Sequence, residues 1–219
     1  YKHFFLKEMN EAPQSFRKTL RGKIAEIEGV MRASLDTSVI PQDVIDKLSR
    51  RSFNRIRVIG QGTAAIAGQS LAQILGTLAD RNVQVDALPA TELSGFQLGL
   101  DMSDTLIVAI SQSGTTTDTN RTVDLARARG ASVIGIVNRR GSELAAKADG
   151  VLYTSDGRDV EMSVASTKAF YSQVAAGVLL ACAFSEAMGT GSNEERHHLL
   201  VALRTIPDAL AKVLSMRPK

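Results

Sequence analysis

From Arg55 onward the chain alternates short β-branched runs with stretches of helical periodicity, and that alternation restricts the fold more than any other feature. Residues 55–59, 82–86, 105–110, 132–137 and 151–153 read as strands. Their connections carry helical patterns and are too long for hairpins, so successive strands run parallel through right-handed crossovers. The expected fold class is α/β: a three-layer α/β/α sandwich on a five-stranded parallel sheet, flavodoxin-like, with packing helices at both ends.

The flanks read as helical. Phe4, Phe5 and Met9 fall on one helical face, and Pro13 opens a second helix carrying Phe16, Leu20, Ile24 and Ile27. Pro41 begins a third, with Val44, Ile45 and Leu48 on one side. Near the other end, Ser166 starts a long apolar helix to Met188, Gly189 and Gly191 break it, and Asn193 caps a last helix to about residue 214. The expected division is a helical packing segment over 1–52, the α/β domain over 53–190, and a C-terminal helix within 191–219.

Composition narrows the function classes. The 219 residues are 44% hydrophobic and 22% charged, enough for one α/β domain with appended helices. Net charge is +3 with the basic residues interspersed among acids, and there are three Tyr and no Trp, so no basic-aromatic stripe points to nucleic acid. A single cysteine, Cys182, forbids an intramolecular disulfide and makes a reducing, cytoplasmic compartment the default. Its apolar surroundings over 178–184 suit a buried small hydrophobe rather than a nucleophile. His3 is isolated and His197 and His198 are adjacent, hence about 100° apart on a helix, so no metal site is expected. No stretch reads as the ~20 continuous apolar residues of a membrane span, and no secretory signal is visible. The first residue is Tyr1 rather than Met, which suggests a fragment.

In an open parallel sheet, ligands bind beyond the carboxyl ends of the strands, near the point where strand order reverses. Three loops qualify. In the first, Gly60, Gln61, Gly62 and Thr63 follow a strand, but Ala65 takes the third glycine position of a dinucleotide fingerprint. Two readings stand there: a plain tight turn, or a dinucleotide site with Asp80 or Asp86 as the ribose acid. In the second, Ser111, Ser113, Thr115, Thr116 and Thr117 are all donors around Gly114, at a helix start whose free N–H groups and dipole favour a phosphate. Simple helix capping is the alternative, but it needs one hydroxyl and not five. In the third, Ser166 is the expected N-cap, with Thr167 and Lys168 in the first turn. Lys168 suits a nearby anion or plain solvation, and Glu161 is either an acid/base group or a structural carboxylate.

Gly60, Gln61, Gly62 and Thr63, then Ser111, Gln112, Ser113, Gly114, Thr115 and Thr116, then Val164, Ala165, Ser166, Thr167, Lys168, Ala169 and Phe170 together resemble the sugar isomerase (SIS) domain family. Within it they are similar to the first SIS half of the isomerising glutamine:fructose-6-phosphate aminotransferases, and residues 1–13 are similar to the segment that leads into that half. The resemblance implies a sugar-phosphate ligand, fructose 6-phosphate or glucosamine 6-phosphate. It implies that Ser111, Gln112, Ser113 and Thr116 hold the phosphate, that Thr63 reaches it from the first loop, and that Val164, Ala165 and Ser166 line the sugar. It further implies no cofactor, a homodimer, and no catalytic residue in this chain, because the family's proton-transfer groups and its ammonia-generating cysteine belong to other regions. Two positions depart from the family pattern: Ala64 stands where a serine is usual, and Thr115 replaces a glutamate. A SIS-type deaminase or deglycase, and a non-catalytic phosphosugar sensor, are the other readings that the residues admit.

Overall fold

Five apolar runs pair in parallel to make the central sheet of the computed structural model, which describes residues 1–80, 82–162 and 166–216. A small antiparallel hairpin, β1 (Ile24–Ile27) and β2 (Val30–Ala33), precedes them. The sheet strands are β3 (Arg55–Gly60), β4 (Gln84–Pro89), β5 (Thr105–Ser111), β6 (Ser132–Val137) and β7 (Gly150–Tyr153). Their order is β4-β3-β5-β6-β7. The chain therefore leaves β3 for the edge strand β4, then returns across β3 to β5 and continues outward. Strand order reverses between β3 and β5, and a crevice opens beyond their carboxyl ends. Strands β5 and β6 are buried along their whole length. Both of their faces are covered, which is why they read as unbroken apolar runs.

The helices are α1 (Phe4–Leu20), α2 (Gln42–Ser49), α3 (Thr63–Leu78), the short α4 (Ala90–Glu92), α5 (Thr117–Arg127), α6 (Glu143–Lys147), α7 (Lys168–Met188) and α8 (Asn193–Ser215), with one wide π turn over Leu93–Gln97. On one sheet face Val44, Leu71, Leu75, Leu180 and Phe184 of α2, α3 and α7 pack on Ile56, Val58 and Ile110. On the other, Val123, Ala126 and Leu144 of α5 and α6 pack on Ile59, Ile107 and Val133. A third cluster joins Phe16 of α1, Leu179 and Cys182 of α7, and Leu200 and Leu203 of α8. Helix α7 thus lies between the sheet layer and an outer layer, and it is apolar all round for that reason. Against the expectation that no stretch is long and apolar enough to span a membrane, α7 is so by length and composition, but 72% of its apolar window is buried inside the fold.

Several flank expectations change. Pro13 lies inside α1 and does not open a second helix, and Ile24 and Ile27 belong to β1. Gly22, at φ +70°, turns the chain out of α1, and Glu28 (φ 51°) with Gly29 (φ 76°) makes the two-residue turn whose twist suits a hairpin. Strand β4 starts at Gln84 rather than Asn82, where the Gln84 N–H meets the Asn54 carbonyl at 2.9 Å. It ends on Pro89, which an edge strand tolerates. Helix α8 is capped by Ser192, not Asn193: the Ser192 hydroxyl accepts the Glu195 N–H at 3.1 Å, and the Glu195 carboxylate accepts the Ser192 N–H at 2.8 Å.

Candidate functional site

The wall after β3 depends on backbone that only glycine allows. A Cβ on Gly60 would lie 2.9 Å from the Ala64 carbonyl carbon, and Gly62 holds φ +57° as the residue before α3. No side chain caps α3; the Ala64 N–H is taken by the Gln61 carbonyl at 3.2 Å and the Ala65 N–H by the Gly62 carbonyl at 3.1 Å, while Thr63, its first residue, faces the crevice. The Gln61 amide spans the neighbouring turns, donating to Thr91 Oγ1 at 3.2 Å and Asp118 Oδ2 at 3.3 Å. The dinucleotide reading fails here. Asp80, at the far end of α3, pairs with Arg51 at 2.9 Å, and Asp86 pairs with Arg57 in mid-strand.

The loop after β5 orders itself. Ser111 Oγ accepts the Gly114 N–H at 3.0 Å and shares a hydrogen with Thr116 Oγ1 at 3.1 Å. Ser113 Oγ accepts from the Thr115 N–H at 3.2 Å and from the Thr115 hydroxyl at 3.0 Å. Gly114 holds φ +67°, and a Cβ there would fall 2.1 Å from Ser142 Oγ. Its carbonyl accepts the Leu144 N–H at 2.9 Å and the Asn120 side-chain amide at 3.2 Å. Thr116 occupies the N-cap position of α5, yet its hydroxyl makes no cap bond. The plain capping alternative therefore does not account for the hydroxyls, and the start of α5 keeps its donors for something else.

The third wall is organised by a carboxylate. Ser166 is not the N-cap of α7; that position is Thr167, which makes no side-chain cap bond. Glu161 does the capping from upstream, accepting the Thr167 N–H and, at 3.2 Å, the Ala169 N–H. The Ser166 hydroxyl reaches the same carboxylate at 3.4 Å. Burial pushes the Glu161 carboxyl above the ordinary 4.5, the Thr167 N–H works against that, and the neighbouring Glu8 raises it further. Lys168 is neither solvated nor aimed into the crevice. It is 3% exposed and pairs with Glu11 of α1 at 2.5 Å. Val164 and Ala165, expected along the sugar, lie outside the described residues.

The three walls enclose a cavity of about 160 Å³. Thr63, Ser111, Gln112, Ser113, Thr116 and Ser166, all expected from sequence, line it together. Gln61, Ala64, Ile110, Glu161 and Gln173 also line it. Gln173, in the second turn of α7, is a polar member that sequence reading missed. Among the described residues no basic side chain lines the cavity, so an anion there is met by neutral hydroxyls and helix starts. Of the two departures, Ala64 is in the wall and buried, whereas Thr115 is exposed and outside it. A second hollow of about 530 Å³ shares Gln112, Ser113 and Glu161 and is flanked by Arg139 and Arg158. Elsewhere, burial pushes the Cys182 thiol up to about 11, as suits a small hydrophobe packed in the core. His197 Nδ1 accepts the Met31 N–H at 3.0 Å, and no cluster of metal-ligating side chains occurs among the described residues.

Known proteins share this fold. Residues 51–183 match the family model described as the SIS domain. The isomerising glutamine–fructose-6-phosphate aminotransferase of Thermus thermophilus is 36% identical over 218 residues, covering 100% of this chain and 33% of that protein. Its counterpart in Halobacterium salinarum is 32% identical over 219 residues, 100% of this chain and 34% of that protein. The chain thus spans about a third of the length of the curated relatives it matches. The solved C-terminal domain of glucosamine-fructose-6-phosphate aminotransferase from Francisella tularensis superposes with a TM-score of 0.80 at 25% identity, over 95% of this chain and 55% of that one. With the family model matched across the sheet and all three loops, the chain belongs to the SIS domain family.

Proposed function

We propose that this chain is the sugar-phosphate-holding SIS part of an isomerising aminotransferase that makes glucosamine 6-phosphate from fructose 6-phosphate and glutamine. The observation that carries the reading is the joint placement of Thr63, Ser111, Gln112, Ser113, Thr116 and Ser166 around one cavity at the strand-order reversal. Ser113, Thr116 and the open start of α5 would take the phosphate, with Ser111 bracing the loop from beneath and Gln112 able to bond both phosphate and sugar hydroxyls. Thr63 and the start of α3 would close over it from the other side. Ser166, with Val164 and Ala165, would run along the carbon chain.

The cavity grips rather than reacts. Glu161 is the one carboxylate or amine among its described lining residues, and it is tied to the N–H groups of α7. Proton transfer and ammonia supply are therefore assigned to other parts of a longer protein. Relatives along the whole chain are named as aminotransferases, and no separate observation favours the deaminase or the sensor. Two calorimetric titrations test the site, one with fructose 6-phosphate and one with glucosamine 6-phosphate. Binding in the millimolar range or tighter is expected, weakened about tenfold in Ser113→Ala. Equal binding by wild type and variant would remove the phosphate loop from the reading.

Two coarser proposals accompany it. The protein would work in a reducing, cytoplasmic compartment, as its lone buried thiol suggests. It would form a homodimer through apolar side chains left exposed on α1 and α8, among them Phe4, Phe5 and Val213. Sedimentation velocity giving only monomer at tens of micromolar would count against the dimer.

A further inference from the structure

Gln173 sits in the second turn of α7, in the floor of the cavity, and is 2% exposed. Its Oε1 is buried and has no hydrogen-bond partner among the described residues. A buried carbonyl left without a donor costs stability, and nearly all such groups in folded proteins are paired. Two of its polar neighbours in the cavity are engaged elsewhere, Ser111 with Gly114 and Thr116, and Glu161 with the start of α7. The side chain lines the cavity, so a donor carried in by a ligand is the partner its unpaired oxygen lacks.

The chemistry of that acceptor decides what it can read. A phosphate ester near neutral pH is close to a dianion and presents acceptor oxygens, with little proton to donate. Hydroxyl and ammonium groups on a sugar skeleton do donate. We propose that Gln173 is a specificity-determining residue, whose Oε1 accepts a hydrogen bond from a hydroxyl or amino group on the carbon chain of the bound sugar phosphate. This rests on the sugar-phosphate reading of the same cavity and adds a division of labour to it. The loop after β5 holds the phosphate, while Gln173 separates a polyhydroxylated ester from inorganic phosphate. A ligand without the matching donor binds more weakly because it does not gain the bond that pairs the buried carbonyl.

Gln173→Met tests this, since it keeps length and removes both amide atoms. Dissociation constants are measured for fructose 6-phosphate, glucosamine 6-phosphate and inorganic phosphate on wild type and variant, with the melting temperature of each ligand-free protein. Expected is a loss of about tenfold for at least one sugar phosphate, a change under about twofold for inorganic phosphate, and a ligand-free melting temperature that is unchanged or higher. A parallel loss for all three ligands would mean that Gln173 acts through the phosphate loop, and would overturn the proposal. So would unchanged affinity for both sugar phosphates. The wild type gives a second arm that does not depend on the variant folding: a series of sugar 6-phosphates each lacking one hydroxyl. One member should bind about tenfold more weakly than its parent and be insensitive to Gln173→Met, as a double-mutant cycle requires for a direct pair. Uniform affinity across the series would overturn the proposal on its own. Wild type that binds neither sugar phosphates nor phosphate would instead overturn the site itself, a result distinct from the others.

Discussion

Two of the cavity's three walls are built in opposite ways. The loop after β5 is held by its own neighbours: Ser111, Ser113, Gly114, Thr116 and Asn120 bond within ten residues of one another. The wall leading into α7 is held from α1, across more than 130 residues of chain. Lys18 pairs with Asp159 at 3.0 Å, Glu11 with Lys168 at 2.5 Å, Glu8 accepts the Met162 N–H, Thr19 Oγ1 accepts the Ser155 N–H at 2.9 Å, and the Ser15 and Ser172 hydroxyls meet at 2.9 Å. Burial pushes the Asp159 carboxyl up, but the Ser155 hydroxyl and the Lys18 ammonium outweigh it and leave the group below its ordinary value. Under the proposed function, a phosphate grip needs rigid local backbone, so a short self-bonded loop suffices. A sugar wall must be set at a distance from that grip, and a separate helix fixes the distance. Residues 1–20 are accordingly part of the site's support and not only a linker.

Substituting Gly114 should break the local side most completely. Gly114→Ala puts a methyl 2.1 Å from Ser142 Oγ at a φ of +67°, so both space and backbone oppose it. Sugar-phosphate affinity is expected to fall by more than about 100-fold, with about 2–4 kcal/mol of stability lost in urea unfolding. Removing the obstacle in Gly114→Ala/Ser142→Gly should recover only part of it, since the strained backbone remains.

The remote side breaks next. Glu11→Gln strands the Lys168 ammonium, which is 3% exposed. About 2–3 kcal/mol should be lost, less than a fully buried pair would cost because Glu11 is itself a third exposed. Replacing both charges, as Glu11→Leu/Lys168→Met, should restore most of that stability. Calorimetric titration with inorganic phosphate should change little in Glu11→Gln, while sugar-phosphate affinity drops. Equal losses for both ligands would erase the distinction between the two walls.

The smallest effect is a pH dependence. Glu161 titrates higher in the folded protein than in the unfolded chain, first because it is buried. As pH rises from 4.5, the unfolded chain releases this proton while the native state still holds it, so this group lowers stability through that window. Glu161→Gln should remove that slope from the stability–pH curve measured beside wild type. Asp159 and Glu11, both held below their ordinary values, contribute slopes of the opposite sign at lower pH.

The same contrast explains what the sequence made legible. The sheet strands, the loop after β5 and most of the cavity's hydroxyls were readable because local pattern specifies them: apolar runs, glycines and donors close together. The hairpin was misread because Ile24 and Ile27, three apart, fit a helix as well as a strand, and the telling signal was the Glu28–Gly29 turn. Ser166 looked like a cap, but the cap is Glu161, a carboxylate five residues earlier whose role depends on the chain folding back. The Glu11–Lys168 pair and the burial of Gln173 could not be read at all, because they follow from how α1 and α7 pack.

Backbone amide chemical shifts, followed during titration with fructose 6-phosphate, test the phosphate grip most directly. The expected result is large shifts at Gly114, Thr115, Thr116 and Thr117, saturating together with those at Thr63 and Ala64, and lost in parallel in Ser113→Ala. Shifts confined to Arg139 and Arg158 in the neighbouring hollow, with the loop after β5 unmoved, would contradict a grip made of neutral donors and helix starts.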